Sequence, residues 1–320
     1  MSRGTAAAVG GEIGARQLAL GAAFGTAAAL IWAGWMVVTR VGVSGALGPF
    51  DLAALRFGIA GLVLVPVLVR HRGAIGRVPP LLLLAMVVGA GAPFAVIGAS
   101  GLRFASAGSA GALIPGVLPL FVALLSMALL KERIGAGRRL GLGLILAGIV
   151  AIAALRAAHE TGANPGHLLF LCASLLWAGF TLALRRSGLT PIQAVALVAI
   201  GSCLVYLPLY LLLLEPGLAR APLADLAFQG LYQGLLSGIV AMWCFGRAVA
   251  LLGPARGAVF AALVPALATL MGMLLLGEMP ALEEGLGVLL VSAGVCAAAG
   301  LRLPLPATSV RRRAPIAPAS

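Results

Sequence analysis

The sequence predicts an all-α integral membrane protein, with ten transmembrane helices arranged as two inverted five-helix repeats. Three observations predict it: the composition, a series of apolar runs of spanning length, and one segment written twice with its charges exchanged. The chain has 320 residues, 62% of them hydrophobic and 10% charged, whereas ordinary globular chains are about 45–50% apolar and about 25% charged. A soluble domain of this size has no way to hide so much apolar surface. The excess must face lipid.

A helix needs about 20 mostly apolar residues to cross a bilayer. Ten runs qualify, at 18–39, 51–70, 80–100, 106–130, 138–156, 166–184, 190–214, 227–251, 255–277 and 282–301. Short connections between them predict antiparallel neighbours. Residues 1–17 read as a cytoplasmic N-terminal segment without the charged start and apolar stretch of a signal peptide. Residues 302–320, rich in Pro and Ala, read as a disordered cytoplasmic tail.

The formal net charge of +13 sets topology rather than a nucleic-acid partner. The bases sit singly or in short groups between apolar runs, with no patch of interleaved aromatics. With the N-terminus in the cytoplasm, 17 of the 22 Lys and Arg residues fall on the inner side, which is a positive-inside bias. The outer side keeps Arg40, Arg103, Arg156 and Arg220, with Arg56 a little inside a span. Both termini are therefore expected in the cytoplasm, and the high Arg-to-Lys ratio hints at a bacterial inner membrane. Cys172, Cys203, Cys244 and Cys296 lie in apolar runs without metal-ligand spacing, so no metal or cofactor is expected.

The doubled segment is "LLKERIGAGRRLGLGLILAG" (129–148) and "LLGEMPALEEGLGVLLVSAG" (275–294). At a shift of 146 they share Leu129/Leu275, Glu132/Glu278, Gly141/Gly287 and Gly148/Gly294, among others. The first copy carries Lys131, Arg133, Arg138 and Arg139; the second carries Glu283 and Glu284 and no base. The shift spans five helices, an odd number, so the second copy enters the membrane upside down. The charge exchange is the positive-inside rule acting on both copies. "IWAGWMVVTR" (31–40) and "LWAGFTLALR" (176–185) match as well, through Trp32/Trp177, Gly34/Gly179 and Arg40/Arg185. The repeats are thus 18–156 and 166–301. Inverted repeats enclose a cavity near mid-depth that can open to either side in turn, the arrangement of secondary carriers.

The segments "GLRFASAGSAGALIPGVLPLFVALLSMALLKERIGAGRRLGLGLILAGIV" and "AVALLGPARGAVFAALVPALATLMGMLLLGEMPALEEGLGVLLVSAGV" resemble the ends of the two repeats of the drug/metabolite transporter superfamily, EamA-type branch. Shared features are a small-residue helix start, a mid-helix proline (Pro119, Pro265), a closing glutamate (Glu132, Glu278) and a Gly-bearing last helix. "PFDLAALRFGIAGLVL" resembles that family's second helix, with Arg56 in its usual place. The resemblance implies ten helices, a cavity lined by spans 1–4 and 6–9, and peripheral spans 5 and 10. It leaves the substrate open among amino acids, other metabolites and xenobiotics.

The reading is a carrier of small organic solutes, amino acids or related metabolites, working as an exporter and acting as a monomer or homodimer. Multidrug export is the near alternative and metabolite uptake a further one. A channel would need a ring of charges or a filter-like stretch, and an intramembrane enzyme clustered catalytic groups at depth. Neither pattern is present; His71, His159 and His167 sit in or beside loops, with no catalytic partner near them in sequence.

Cavity candidates are Trp32, Phe94, Trp177 and Trp243, weighed against the interfacial belt that membrane tryptophans usually form, with the polar cluster Tyr232, Gln233 and Ser237. A buried amide such as Gln233 must find a partner or water. Gating or hinge candidates are Arg56, Pro119, Pro265, Glu132 and Glu278. Arg56 either snorkels to the outer interface or bonds a neighbouring helix, or it meets an anionic substrate group or acts as a gate; its repeat partner near Val198 is uncharged. Glu132 and Glu278 end their helices, where the macrodipole disfavours a carboxylate, so the N-terminus of the next helix is expected to hold each one. Gly230, Gly234 and Gly238 are spaced for close helix approach. No Asp, Glu or His falls deep in a span, which argues against an intramembrane proton relay and for transport down the solute gradient.

Overall fold

The computed structural model describes residues 14–157, 164–214 and 216–299, and these residues are helical throughout, with no strand among them. In chain order the helices are α1 (Ala15–Ser44), α2 (Pro49–Ile75), α3 (Pro80–Ala90), α4 (Ala92–Gly101), α5 (Ala107–Leu113), α6 (Leu118–Leu130), α7 (Ala136–Ala157), α8 (Pro165–Ser187), α9 (Pro191–Leu213), α10 (Leu223–Gly230), α11 (Ala241–Leu252), α12 (Pro254–Leu276) and α13 (Leu282–Ala298). The expected cytoplasmic segment 1–17 lies almost wholly outside the described residues, and the expected tail 302–320 entirely so.

Local chemistry starts and stops these helices. Proline opens α2, α3, α8, α9 and α12, where its missing N–H costs nothing. Side chains satisfy further first-turn donors: Asp51 accepts from Gly48 N at 2.7 Å, Gln193 from Thr190 N at 2.9 Å, and Asn164 from Gly166 N at 2.8 Å. α6 and α12 end alike. Lys131 and Gly277 both turn left-handed (φ 53° and 67°), and the N–H groups of Glu132 and Glu278 close back onto Ser126 O and Gly272 O.

Among the described residues eight helical stretches are long and apolar enough to cross a membrane: Ala15–Ser44, Pro49–Ile75, Pro80–Gly101, Ala107–Leu130, Pro165–Ser187, Pro191–Leu213, Leu223–Leu252 and Val259–Leu276. α7 and α13, in the fifth and tenth predicted spans, are not among them; α13 has 17 residues. Three stretches are irregular in ways the apolar runs do not reveal. The third breaks at Gly91, the fourth breaks between Leu113 and Leu118, and the seventh widens to a π-helix over Leu231–Val240. Such wide turns concentrate at functional sites. The expected hinges separate accordingly. Pro119 sits in the first turn of α6, so it starts a helix instead of kinking one, and the break lies just before it, around Pro115. Pro265 sits inside the unbroken α12, where the carbonyl of Pro265 accepts from Thr269 Oγ1 at 3.0 Å.

Packing relies on small residues. α7 and α13 run antiparallel, Gly141 against Gly294 and Gly148 against Gly287. A Cβ at Gly141 would lie 2.3 Å from Ala298 N, and one at Gly148 2.9 Å from Gly287 O. α2 meets α9 antiparallel as well, Gly61 lying against Ala199 and Cys203. α1 packs on α11 and α12, and α8 packs on α3, α4 and α6. The α3–α4 stretch runs antiparallel to α8: Gly101 lies on Gly166 and Gly89 on Phe180. Arg40, near the end of α1, bonds the Leu102 carbonyl at the end of α4, where α8 begins. The C-termini of α1 and α8 therefore lie at opposite ends of the bundle. Leu62, Leu81, Leu204, Leu212 and Leu274 project outward, as a lipid-facing belt requires.

Candidate functional site

The broken stretches and the π-helix surround a central chamber. Both halves of the chain line it. Trp32, Trp35, Arg56, Phe57, Phe94 and Ile114 come from the first; Trp177, Phe180, Val198, Ser237 and Met242 come from the second. Trp35 stacks on Phe94 with centroids 6.1 Å apart, and Phe94 meets Trp177 at 5.6 Å. Four of these aromatics fall in matching places of the doubled "IWAGW/LWAGF" block, as Trp32 with Trp177 and Trp35 with Phe180.

Arg56 enters this aromatic box from α2. Its Nη1 donates to Ser237 Oγ at 2.8 Å, and its guanidinium carbon lies 5.6 Å from the Trp35 ring and 5.8 Å from the Phe57 ring. Arg56 therefore faces inward, and the snorkelling alternative does not describe it. Behind the wall runs a buried polar ladder. Trp35 Nε1 donates to Gln233 Oε1 at 2.7 Å, Gln233 Nε2 donates to Thr39 Oγ1 at 2.9 Å, and Gln229 Nε2 donates to the Val38 carbonyl at 2.7 Å. Each amide has its partners, as burial in an apolar slab demands. The π-helix turns Ser237 and Gly238 toward the chamber. Gly230 and Gly234 lie against Ile59 of α2, but a Cβ at Gly238 would meet only the Gln233 carbonyl of its own helix, at 3.7 Å, so two of the three spaced glycines serve close packing between helices.

The predicted site residues divide into three groups. Trp32, Phe94, Trp177, Ser237 and Arg56 line the chamber. Tyr232 and Gln233 stand behind it: Gln233 orients Trp35, and Tyr232 donates to the Ile31 carbonyl at 3.1 Å. Trp243 does not face the chamber. It is 55% exposed and packs edge-on against Phe24 of α1 at 5.3 Å, on the outer surface; its position on α11 turns it away from the chamber. Trp35, absent from the candidates read from the sequence, is the aromatic centre of the wall, and its match to Phe180 in the repeat was the available signal.

Glu132 and Glu278 are held differently from the expected capping by the next helix. Glu278 Oε1 accepts from Arg40 Nε at 2.9 Å, and its Oε2 accepts from the backbone of Ala107, at the start of α5, also at 2.9 Å. Glu132 accepts from Arg185 Nη2 at 2.6 Å. Each ion pair joins the first spanning helix of one half to the end of the fourth stretch of the other, and the two pairs sit at opposite ends. The hydrogen bond from Arg185 holds the Glu132 carboxyl below its ordinary value against an opposing desolvation, and the Arg185 charge adds to the lowering. At the Glu278 end a second buried carboxylate, Glu284, accepts from Ser106 and Ser109. A third, Asp51, accepts from Tyr210 and from Gly217 N. Both lie in the first turns of their helices, where an N-terminal acid is stabilised.

A bundle of apolar spanning helices around a chamber shared by two matching halves defines a multi-pass integral membrane protein of the transporter class. The EamA-like transporter family model matches residues 19–154 and again 164–299, and the chain belongs to that family. None of the curated protein sequences compared with it matches. A crystal structure described only as "Crystal structure of protein" is similar over 89% of this chain and 99% of its own, with 22% identity and a TM-score of 0.61. That likeness bears on the fold alone.

Proposed function

We propose that the protein carries small organic solutes across a bacterial inner membrane by alternating access, with ten crossings arranged as two inverted five-helix repeats. The observation that carries this reading is the chamber, lined by equivalent residues of both repeats, together with an equivalent ion pair at each end of the bundle. The antiparallel packing of equivalent helices, α2 on α9 and α7 on α13, supports the inversion. Rocking about the shared axis would loosen one ion pair while tightening the other, exposing the chamber to one side at a time. With the N-terminus inside, the Arg40–Glu278 pair closes the external end and the Arg185–Glu132 pair the cytoplasmic end. Amino acids or related metabolites leaving the cell are the proposed traffic. The apolar aromatic walls favour one second reading, export of xenobiotics.

Thiol labelling of single cysteines at Lys131 and Glu283 tests the topology; labelling of both from the same face overturns it. Counterflow in vesicles tests the carrier. A saturable exchange is expected, proceeding without an imposed pH gradient. A non-saturating flux would mark a channel, and accumulation that strictly requires a pH gradient would overturn downhill transport.

A further inference from the structure

The chamber's free hydrogen-bonding side chains are donors, and its charge is a single cation. A guanidinium offers five N–H donors, and Arg56 uses one of them, on Ser237. Among the described residues the side-chain ion pairs are made elsewhere, at Arg40–Glu278 and Arg185–Glu132, so Arg56 faces no carboxylate. Trp32 and Trp177 also line the space, and among the described residues neither indole N–H has an acceptor, whereas that of Trp35 is taken by Gln233. The repeat counterpart of Arg56 on α9, near Val198, lines the same chamber and brings no charge. An unpaired guanidinium away from bulk water is costly. An acceptor arriving in the chamber relieves that cost, and a carboxylate does so with two parallel hydrogen bonds.

We infer that the solute of this chamber is an organic monoanion: a carboxylate that docks on Arg56, joined to an aromatic or bulky apolar body that fills the tryptophan-lined space. The inference rests on the carrier reading above and narrows its substrate class from amino acids and related metabolites to those carboxylates that carry no ammonium group. One cation neutralises one anionic group, so a dianion would bring in an uncompensated charge. An amine would meet Arg56 with like charge and find no acid to offset it. The aromatic faces remain available to the apolar body, through offset and edge contacts with Trp32, Phe94 and Trp177.

Three probes of one shape separate the terms: phenylacetate, the neutral phenylacetamide and the cationic phenethylamine. Each is titrated into the purified full-length protein in nanodiscs while tryptophan fluorescence is followed. Phenylacetate is expected to bind about tenfold or more tighter than phenylacetamide, as one charge-assisted contact provides, with phenethylamine weakest. In Arg56→Gln the carboxylate advantage should vanish while phenylacetamide binding stays within about twofold, which also reports an intact chamber; Arg56→Lys should keep part of the advantage as a point charge. Phenethylamine binding as well as phenylacetate, a saturable phenylacetate response that is absent, or a preference that survives Arg56→Gln would each overturn the inference. Because binding is read without transport, the two readings fail separately. Arg56-dependent phenylacetate binding with no counterflow sinks the carrier and keeps the anion site; phenethylamine counterflow without phenylacetate counterflow does the reverse.

Discussion

The two ends of the bundle carry the same ion pair in different settings. At one end Arg40 and Glu278 are 28% and 20% exposed, and both have further partners: Arg40 the Leu102 carbonyl, Glu278 the N–H of Ala107. Glu284 ties Ser106 and Ser109 into the same end. At the other end Arg185 and Glu132 are 51% and 42% exposed and hold mainly each other. The repeats supply matched residues, yet the pairs differ in burial, in partner count and therefore in energetic weight. A sheltered, multiply bonded pair resists separation far more than an exposed one, whose attraction is screened by water and opposed by side-chain entropy. In this conformation the Glu278 end is the tied end and the Glu132 end the loose one.

Breaking the tied end should have the largest effect. Glu278→Gln leaves Arg40 half-sheltered without its counter-charge, and a loss of about 2–3 kcal/mol is expected, read as a lowered thermal midpoint in detergent. The double variant Arg40→Glu with Glu278→Arg should recover part of that loss if the pair acts through charge; an equal or larger loss would assign the effect to the backbone partners instead.

The helix ends beside the two glutamates sharpen the comparison next. Gly277 takes its left-handed turn without a Cβ, while Lys131 makes the same turn against a steric cost of about 1–2 kcal/mol. Lys131→Gly should therefore stabilise by about 1 kcal/mol, and Gly277→Ala should destabilise by a similar amount. Equal and negligible effects at both positions would show that the two turns are not under comparable strain.

The smallest effect is expected at the loose end. Glu132→Gln should leave the thermal midpoint close to that of the unaltered protein between pH 5 and 8. Its folded carboxyl titrates below the ordinary value, so the pair's contribution is complete above the unfolded range near pH 4 and is lost as pH falls through the lowered folded value. Acidification below about pH 4 should thus destabilise the unaltered protein slightly more than Glu132→Gln. A loss at neutral pH as large as that of Glu278→Gln would erase the distinction between the ends.

Much of this architecture was legible in one dimension. Lipid as a solvent demands long apolar helices, so composition and run length announce them, and the positions of Lys and Arg carry the topology reading. The doubled block exposed Trp32 and Trp177 as equivalent, and Glu132 and Glu278 as well. Helix interruptions were harder to read. The breaks at Gly91 and Leu113–Leu118 and the π-helix over Leu231–Val240 leave hydropathy unchanged, because a run stays apolar whether or not its ladder is continuous. Pro119 marked the neighbourhood of one break without marking its position.

The facing of individual side chains was decided by tertiary structure. Trp35 and Trp243 are the same residue type on similarly apolar helices, yet one centres the chamber and the other meets the lipid side, because α1 and α11 turn different faces to the bundle. Arg40 and Glu278 lie 238 residues apart, and only the docking of one half against the other brings them into contact. Solvent averages along a chain, so the sequence by itself determined the membrane, the helices and the doubling. Contacts across the fold are specific and distant in sequence, so Arg56 as an unpaired cation in an aromatic chamber, and the unequal ends above and below it, emerged only in three dimensions.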